Sequence, residues 1–351
     1  MSDAAYTLPL NKLQGSLLGY CERTFVEWRE IKIKDFVELA NGWESKIYAF
    51  NLEYGPENKR QTQSLVLRLY SGEQSFAKSK REFYALDRLH RAGYPVPYPH
   101  TLERLNSPFG APFLLIERIS GQAMLPVLVK ASQNEQSALI TLFCDLFVRL
   151  HRLEWRQFVP AESSYQAVDP YVFVDRWFIL ARQVFHHYSK HDFFPVLEWL
   201  ETQRNELYCL EPAPVHLDFH PDNIILRGDG SGVVIDWTGF EVSDARFDLA
   251  WTLLLFYAYL GRDWRDRILE EYERLWGSRV EHIEVFEIFA GLRRLSEMSI
   301  SMTSGAGQQG MRPEAQLQMK AQKGAYRNVY QLVLQRTGIG ICEIESWLSE
   351  T

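Results

Sequence analysis

The stretch Val215–Trp237, V-H-L-D-F-H-P-D-N-I-I-L-R-G-D-G-S-G-V-V-I-D-W, constrains this chain more than any other. Asp218, Asn223 and Asp236 stand in it with the spacing D-x4-N-x12-D. Residues 223–227 and 233–237 read as two short strands around the Gly-Asp-Gly-Ser-Gly turn at 228–232, a β-hairpin pattern. A hairpin returns the chain on itself, so Asn223 at its entrance and Asp236 at its exit are expected close together. An amide oxygen beside a carboxylate is a hard-oxygen site suited to Mg²⁺, which usually binds few protein ligands together with substrate phosphates. Asp218, on the loop just before, is expected to face the same cleft.

Phosphoryl transfer uses this layout: one Asp serves as base, while an Asn and a second Asp hold the metal. At these residues the chain resembles the aminoglycoside phosphotransferase and choline kinase-like branch of the protein-kinase-like fold. That branch carries H-x-D-x-x-x-x-N and I-D-W or I-D-F where protein kinases carry H-R-D and D-F-G. Here they stand as His216-Leu217-Asp218 through Asn223, and Ile235-Asp236-Trp237. The resemblance implies an α+β, two-lobed protein-kinase-like fold: a small antiparallel β lobe with one helix, and a larger, mainly helical lobe. It implies a nucleotide-binding lobe at 1–118 and a catalytic, substrate-binding lobe at 119–351. It further implies transfer of the γ-phosphoryl group of ATP, with GTP left open, to a hydroxyl of a small molecule. Asp218 is then the base with His216 beside it in the catalytic loop, and Asn223 and Asp236 are the Mg²⁺ ligands.

The first part of the chain reads as the start of such a small lobe. Residues 36–39, 46–52 and 64–69 have strand patterns, with Asn41-Gly42 opening the first turn and Gly55-Pro56 in the second connection. The turn Asn41-Gly42-Trp43-Glu44-Ser45 takes the place of the loop over the phosphates, although it has one glycine and not G-x-G-x-x-G. Arg68 stands in the apolar strand V-L-R-L, where an inward charge needs a partner. The next segment, Ser75–Arg91, has helical periodicity with Phe83, Leu86 and Leu89 on one face, and Gly93, Pro95 and Pro97 end it. By resemblance, Arg68 is the phosphate-binding base and Glu82 of that helix is its partner. The apolar run at 111–119 matches the family's hinge, where backbone groups near Glu117 and Ile119 are expected to bond the purine.

The remainder reads as helical. Ser132-x-x-Glu135 forms a capping box before the stripe Leu139, Phe143, Leu146, Phe147, Leu150 and Leu153. His151 follows that stripe as a satisfied structural histidine, and two aromatic-rich helices are expected in 165–208. Asp244-Ala245-Arg246-Phe247-Asp248-Leu249-Ala250 resembles the family's G-D-x-x-x-D-L-A, which implies that Asp248 accepts hydrogen bonds from the catalytic-loop backbone. The polar, Gly-containing stretch 303–313 breaks the helical pattern.

Composition narrows the alternatives. An apolar content of 46% is ordinary for a globular protein, and a net charge of −7 argues against general nucleic-acid binding. Four scattered cysteines without a C-x-x-C pair suit a reducing compartment, not a disulfide framework or a zinc site. The N-terminal residues lack a signal-peptide pattern, and the longest apolar run, 249–260, is too short to span a bilayer. A soluble, cytoplasmic protein that meets neither membrane nor nucleic acid is therefore expected, with its oligomeric state unspecified. No G-x-x-x-x-G-K-[ST] occurs, and His216 with His220 does not complete a zinc set. The alternative within this fold is a degenerate kinase that binds nucleotide or a partner without catalysis. The intact Asp218, Asn223 and Asp236 speak against it. For the acceptor, the candidates run from amine-bearing antibiotics to amino-alcohol and sugar metabolites.

Overall fold

The structure, a computed structural model, describes residues 8–39, 45–70, 72, 74–159, 169–305, 307 and 315–350. In chain order the elements begin with α1 (Leu10–Thr24), β1 (Lys32–Leu39), β2 (Ser45–Tyr54), β3 (Gln61–Tyr70) and α2 (Ser75–Arg91). β4 (Pro99–Glu103), β5 (Phe113–Glu117), β6 (Gln122–Ala123), α3 (Met124–Lys130), α4 (Gln133–His151), α5 (Val172–His187) and α6 (Phe194–Thr202) follow. Next come β7 (Ala213–Val215), β8 (Ile224–Leu226), β9 (Gly232–Val234), β10 (Glu241–Ser243) and α7 (Ala245–Leu260). The chain ends in α8 (Arg262–Trp276), α9 (Ile283–Ser304), α10 (Ala315–Ala321), α11 (Lys323–Thr337) and α12 (Cys342–Ser349). Two compact units result: Met1–Ala123 with Ile224–Thr238, and Met124–Asn223 with Gly239–Thr351.

The first unit is built on a five-stranded antiparallel sheet in the order β1-β2-β3-β5-β4. Leu13, Leu17, Tyr20 and Cys21, on one face of α1, join a core with Tyr48, Phe50, Leu52, Leu65, Leu67 and Leu69 from the sheet. Leu67 and Leu69 point to that core, so period two sends Arg68 and Tyr70 to the opposite face of β3. All four residues are buried, because α2 covers the second face. The buried stripe of α2 is Ser79, Glu82, Ala85, Leu86 and Leu89, which carries one carboxylate inward with the leucines. β1 starts earlier than the sequence pattern indicates, since Asp35 (φ 52°) interrupts the pairing between Lys34 and Val37 and hides the alternation.

β6, β8 and β9 form a second small sheet of this unit. The hairpin exists, but its paired strands hold three residues each and not the five read from sequence. Asn223 lies in the preceding 3-10 turn Pro221–Asn223, and Asp236 lies beyond the strand in the left-handed region (φ 65°).

The second unit is mainly helical. α7 is apolar on all sides and accordingly buried, with α8 and α9 packed against it. This is the longest apolar run of the sequence, a core helix. No described helix is long and apolar enough to cross a membrane. The capping-box carboxylate of Glu135 accepts from Ser132 N at 2.9 Å, and α5 and α6 are the two helices expected in 165–208. The strands β7 and β10 pair and bracket the segment 216–240. Cys21, Cys144 and Cys209 are buried free thiols, and Cys342 is exposed and also free.

Candidate active site

In the first unit, Arg68 is the centre of a charge cluster. Its Nε donates to Ser45 Oγ (2.9 Å), Nη1 to Glu82 Oε1 (2.7 Å) and Nη2 to Asp236 Oδ1 (2.9 Å). Three partners on three nitrogens use the planar fork in a way a lysine ammonium cannot reproduce. Tyr70 OH donates to the other Glu82 oxygen, and Thr238 Oγ1 to Asp236 Oδ1 (3.1 Å). Burial by itself disfavours the Arg68 cation, but the charges of Asp236 and Glu82 outweigh it and hold the guanidinium pKa well above its ordinary value. Burial raises the Glu82 carboxyl against the pull of Arg68. Burial, then the Glu82 charge, pushes the Tyr70 phenol well up, so it remains a neutral donor. The ion pair of Arg68 with Glu82 was expected from sequence; the third and fourth members, Asp236 and Tyr70, were not. Tyr70 had a signal in its position two residues after Arg68 on the same strand.

Glu117 closes β5. Its N–H donates to Tyr98 O (2.8 Å), its carboxylate accepts from Tyr98 N (3.1 Å), and Arg227 lies 3.5 Å from it. Ile119 follows outside the strand, half-buried. Gly121 is required here because a Cβ at this position would lie 2.1 Å from Leu226 O. Asn41 and Gly42, the expected phosphate loop, lie outside the described residues, whereas Ser45 at its end is buried against Arg68.

In the second unit, the loop 216–223 is clasped by one face of α7. Asp248, fully buried, accepts from His216 N (2.6 Å) and Leu217 N (2.8 Å). Thr252 Oγ1 donates to Phe219 O (2.6 Å), and Trp251 Nε1 to Asp218 Oδ1 (2.9 Å). Leu217 adopts φ 61°, and Arg293 Nη1 donates to its carbonyl (3.1 Å). Gly239 permits a close approach to this loop, since a Cβ there would lie 2.8 Å from His216 O. The His216 ring is wholly buried, with Phe219 edge-on at 5.8 Å. His151 is a satisfied core histidine, its Nδ1 2.8 Å from Tyr272 OH and its Nε2 3.3 Å from Asp248 Oδ2.

Asp218 is half-buried. Burial would raise its pKa, but His220, the Trp251 hydrogen bond and His216 together hold the carboxyl well below the usual carboxylate range. Asn223 Nδ2 donates to Asp218 O (3.0 Å) and lies 3.1 Å from His220 Nε2. With the amide nitrogen committed, Oδ1 is the atom Asn223 has for a ligand. That oxygen and the Asp236 carboxylate are hard donors of the kind Mg²⁺ prefers. Among the described residues, no group of three or more His, Cys, Asp or Glu is arranged to hold a metal ion.

A sequence model of the phosphotransferase enzyme family matches residues 35–287. The chain belongs to that family. Family membership makes it a small-molecule phosphotransferase with an alcohol group as acceptor. Among curated proteins, none matches. Several solved structures do. A candidate aminoglycoside phosphotransferase from Ralstonia eutropha JMP134 is 15% identical with a TM-score of 0.66, over 92% of this chain and 98% of that one. A thermostable mutant of aminoglycoside phosphotransferase APH(4)-Ia, in ternary complex with AMP-PNP and hygromycin B, is 16% identical with a TM-score of 0.57, over 93% and 99%. A mutant of aminoglycoside 2′-phosphotransferase IIIa, in complex with GDP, is 14% identical with a TM-score of 0.60, over 93% and 98%. At such identities the likeness bears on the fold alone, and the α+β kinase-like architecture is common to all.

Proposed function

We propose that this phosphotransferase moves the γ-phosphoryl group of ATP to a hydroxyl of an aminoglycoside-like antibiotic or of an amino-alcohol or sugar metabolite. The observation that carries the reading is the buried cluster in which Arg68 joins Glu82 to Asp236. An arginine held between two carboxylates is a preorganised positive charge of the kind phosphoryl transfer needs. Arg68 steadies the nucleotide phosphates, and the segment Asn41, Gly42 and Ser45 covers them. The backbone at Glu117 and Ile119 takes the purine. Asp236 and Asn223 Oδ1 are the protein ligands for Mg²⁺. The ion these residues would hold would supply positive charge against the negative charge that develops on the transferred phosphoryl group.

Asp218 orients the acceptor hydroxyl and accepts its proton as the acceptor oxygen bonds to the γ-phosphorus. The bond from that phosphorus to the bridging oxygen breaks, and ADP leaves. His216 contributes its main-chain N–H to the bond with Asp248, and so shapes the loop that carries Asp218. The complexes of relatives with AMP-PNP and with GDP support a nucleoside triphosphate donor and keep GTP as the alternative. The relative with hygromycin B supports an aminoglycoside among the acceptors to try first.

The test is ADP release from Mg·ATP against aminoglycosides, macrolides, choline, ethanolamine, homoserine and simple sugars, alongside Asp218→Asn. One acceptor should stimulate turnover, and Asp218→Asn should lower that rate roughly 10²–10⁴-fold while still binding Mg·ATP. An undiminished rate in Asp218→Asn would remove it from the base role.

A further inference from the structure

Trp251 enters no part of the mechanism above, yet its contacts single it out. Asp248, Trp251 and Thr252 stand at i, i+3 and i+4 of α7, on one face of the helix. Together they engage four successive loop residues: the N–H groups of His216 and Leu217, the side chain of Asp218, and the carbonyl of Phe219. Of these bonds, only the one from Trp251 reaches the functional carboxylate itself. The indole is 4% exposed and donates from Nε1 to Asp218 Oδ1 at 2.9 Å. Its face carries the Arg293 guanidinium at 4.1 Å, and Arg293 also bonds Leu217 O and Glu297. The indole therefore cannot turn without breaking the contacts that hold the loop.

The second carboxylate oxygen is in a different situation. Its neighbour is His220 Nε2 at 3.5 Å, and that nitrogen also lies 3.1 Å from Asn223 Nδ2. At 3.5 Å that contact is longer than the indole bond, so Oδ1 is the oxygen held more closely.

We propose that Trp251 is the positioning residue of the base. Its indole N–H holds Asp218 Oδ1, which fixes the carboxylate rotamer and assigns Oδ2 to the acceptor hydroxyl. The inference rests on the reading of Asp218 as base, and the experiment separates the two. Trp251→Phe keeps a ring beneath Arg293 and deletes only the donor. With the acceptor found in the panel, kcat should fall roughly 10- to 100-fold, as for a reacting group slightly misplaced, with KM for ATP unchanged. A readout without turnover is the Trp251 indole N–H among the ten tryptophan signals in a ¹H–¹⁵N spectrum. It should exchange slowly with solvent and move when Asp218→Asn removes the charged acceptor, which purely packing contacts would not produce. Wild-type kcat in Trp251→Phe, or an indole signal indifferent to Asp218→Asn, would overturn the proposal. Loss of turnover in Asp218→Asn with full turnover in Trp251→Phe would remove this inference and leave the proposed function standing. Full turnover in both would remove the base itself. Should Trp251→Phe fold poorly, the indole signal in Asp218→Asn decides.

Discussion

In the first unit, Arg68 is held entirely by side chains, with Ser45, Glu82 and Asp236 each taking one guanidinium nitrogen. In the second, Asp218 rides on a loop held mostly through its main chain, at His216, Leu217 and Phe219. The two arrangements should fail differently. A side-chain cluster that loses a member keeps its strands, because the register of β2, β3 and β5 is carried by other bonds. What changes is the charge presented to a ligand. A loop held by its peptide groups loses its shape when the acceptor goes. Leu217 in the left-handed region costs about 1–3 kcal/mol, which only the surrounding bonds offset. Nucleotide affinity should therefore follow the first unit, and turnover the second.

The largest effect is expected at Asp248. Asp248→Ala deprives His216 N, Leu217 N and His151 Nε2 of their acceptor in a fully buried place. The loss should amount to about 3–5 kcal/mol, as for a buried charged group removed from its partners. Urea unfolding of the second unit measures it. Asp248→Asn, which keeps one acceptor oxygen, should recover part of the stability but little turnover. A variant that loses under about 1 kcal/mol would show that the loop is held elsewhere, and would break the comparison.

How far these two regions could be read in the sequence differs for the same physical reason. Arg68 was legible because a charge inside an apolar pattern demands a partner, and Glu82 because the resemblance pairs that base with a glutamate of the next helix. Asp218, Asn223, Asp236 and Asp248 were legible from motif spacing. Tyr70 and Trp251 were not, because a buried aromatic looks like core whether or not its polar atom has work to do. Hydrogen bonds to main chain leave no trace in residue type, so the clasp on Phe219 and the role of Arg293 were invisible. The strand lengths were misjudged where backbone conformation changes sign, at Asp35 and Asp236, neither of which is a glycine.

Glu82→Gln sharpens the contrast from the side of the first unit. Arg68 keeps Asp236 and Ser45, so the fold should lose only about 2–3 kcal/mol, the worth of hydrogen bonds to a charged group. The kinetic signature should be a KM for ATP raised roughly tenfold, the factor that 1.4 kcal/mol commands. Steady-state kinetics at saturating acceptor separates the constants. A fall in kcat at unchanged KM would mean that the cluster acts on the transferred group and not on nucleotide binding, and the division between the units would not hold.

Tyr70→Phe should have the smallest effect, and it asks whether the cluster is one unit or a sum of pairs. The substitution keeps the ring, which lies 5.6 Å from the Arg68 guanidinium, and deletes only the hydroxyl that Glu82 accepts. Glu82 still has Arg68, so the cost should be about 1–1.5 kcal/mol in thermal or urea unfolding. If the hydroxyl works by holding the carboxylate for Arg68, its effect must depend on the carboxylate being there. The double variant Tyr70→Phe/Glu82→Gln should then fall short of additivity by at least about 0.5 kcal/mol. Strict additivity would mean that Tyr70 packs beside the pair without steering it. Arg68 would then be positioned by Glu82, Asp236 and Ser45, and the second face of β3 would carry the charge without help from the strand's own aromatic residue.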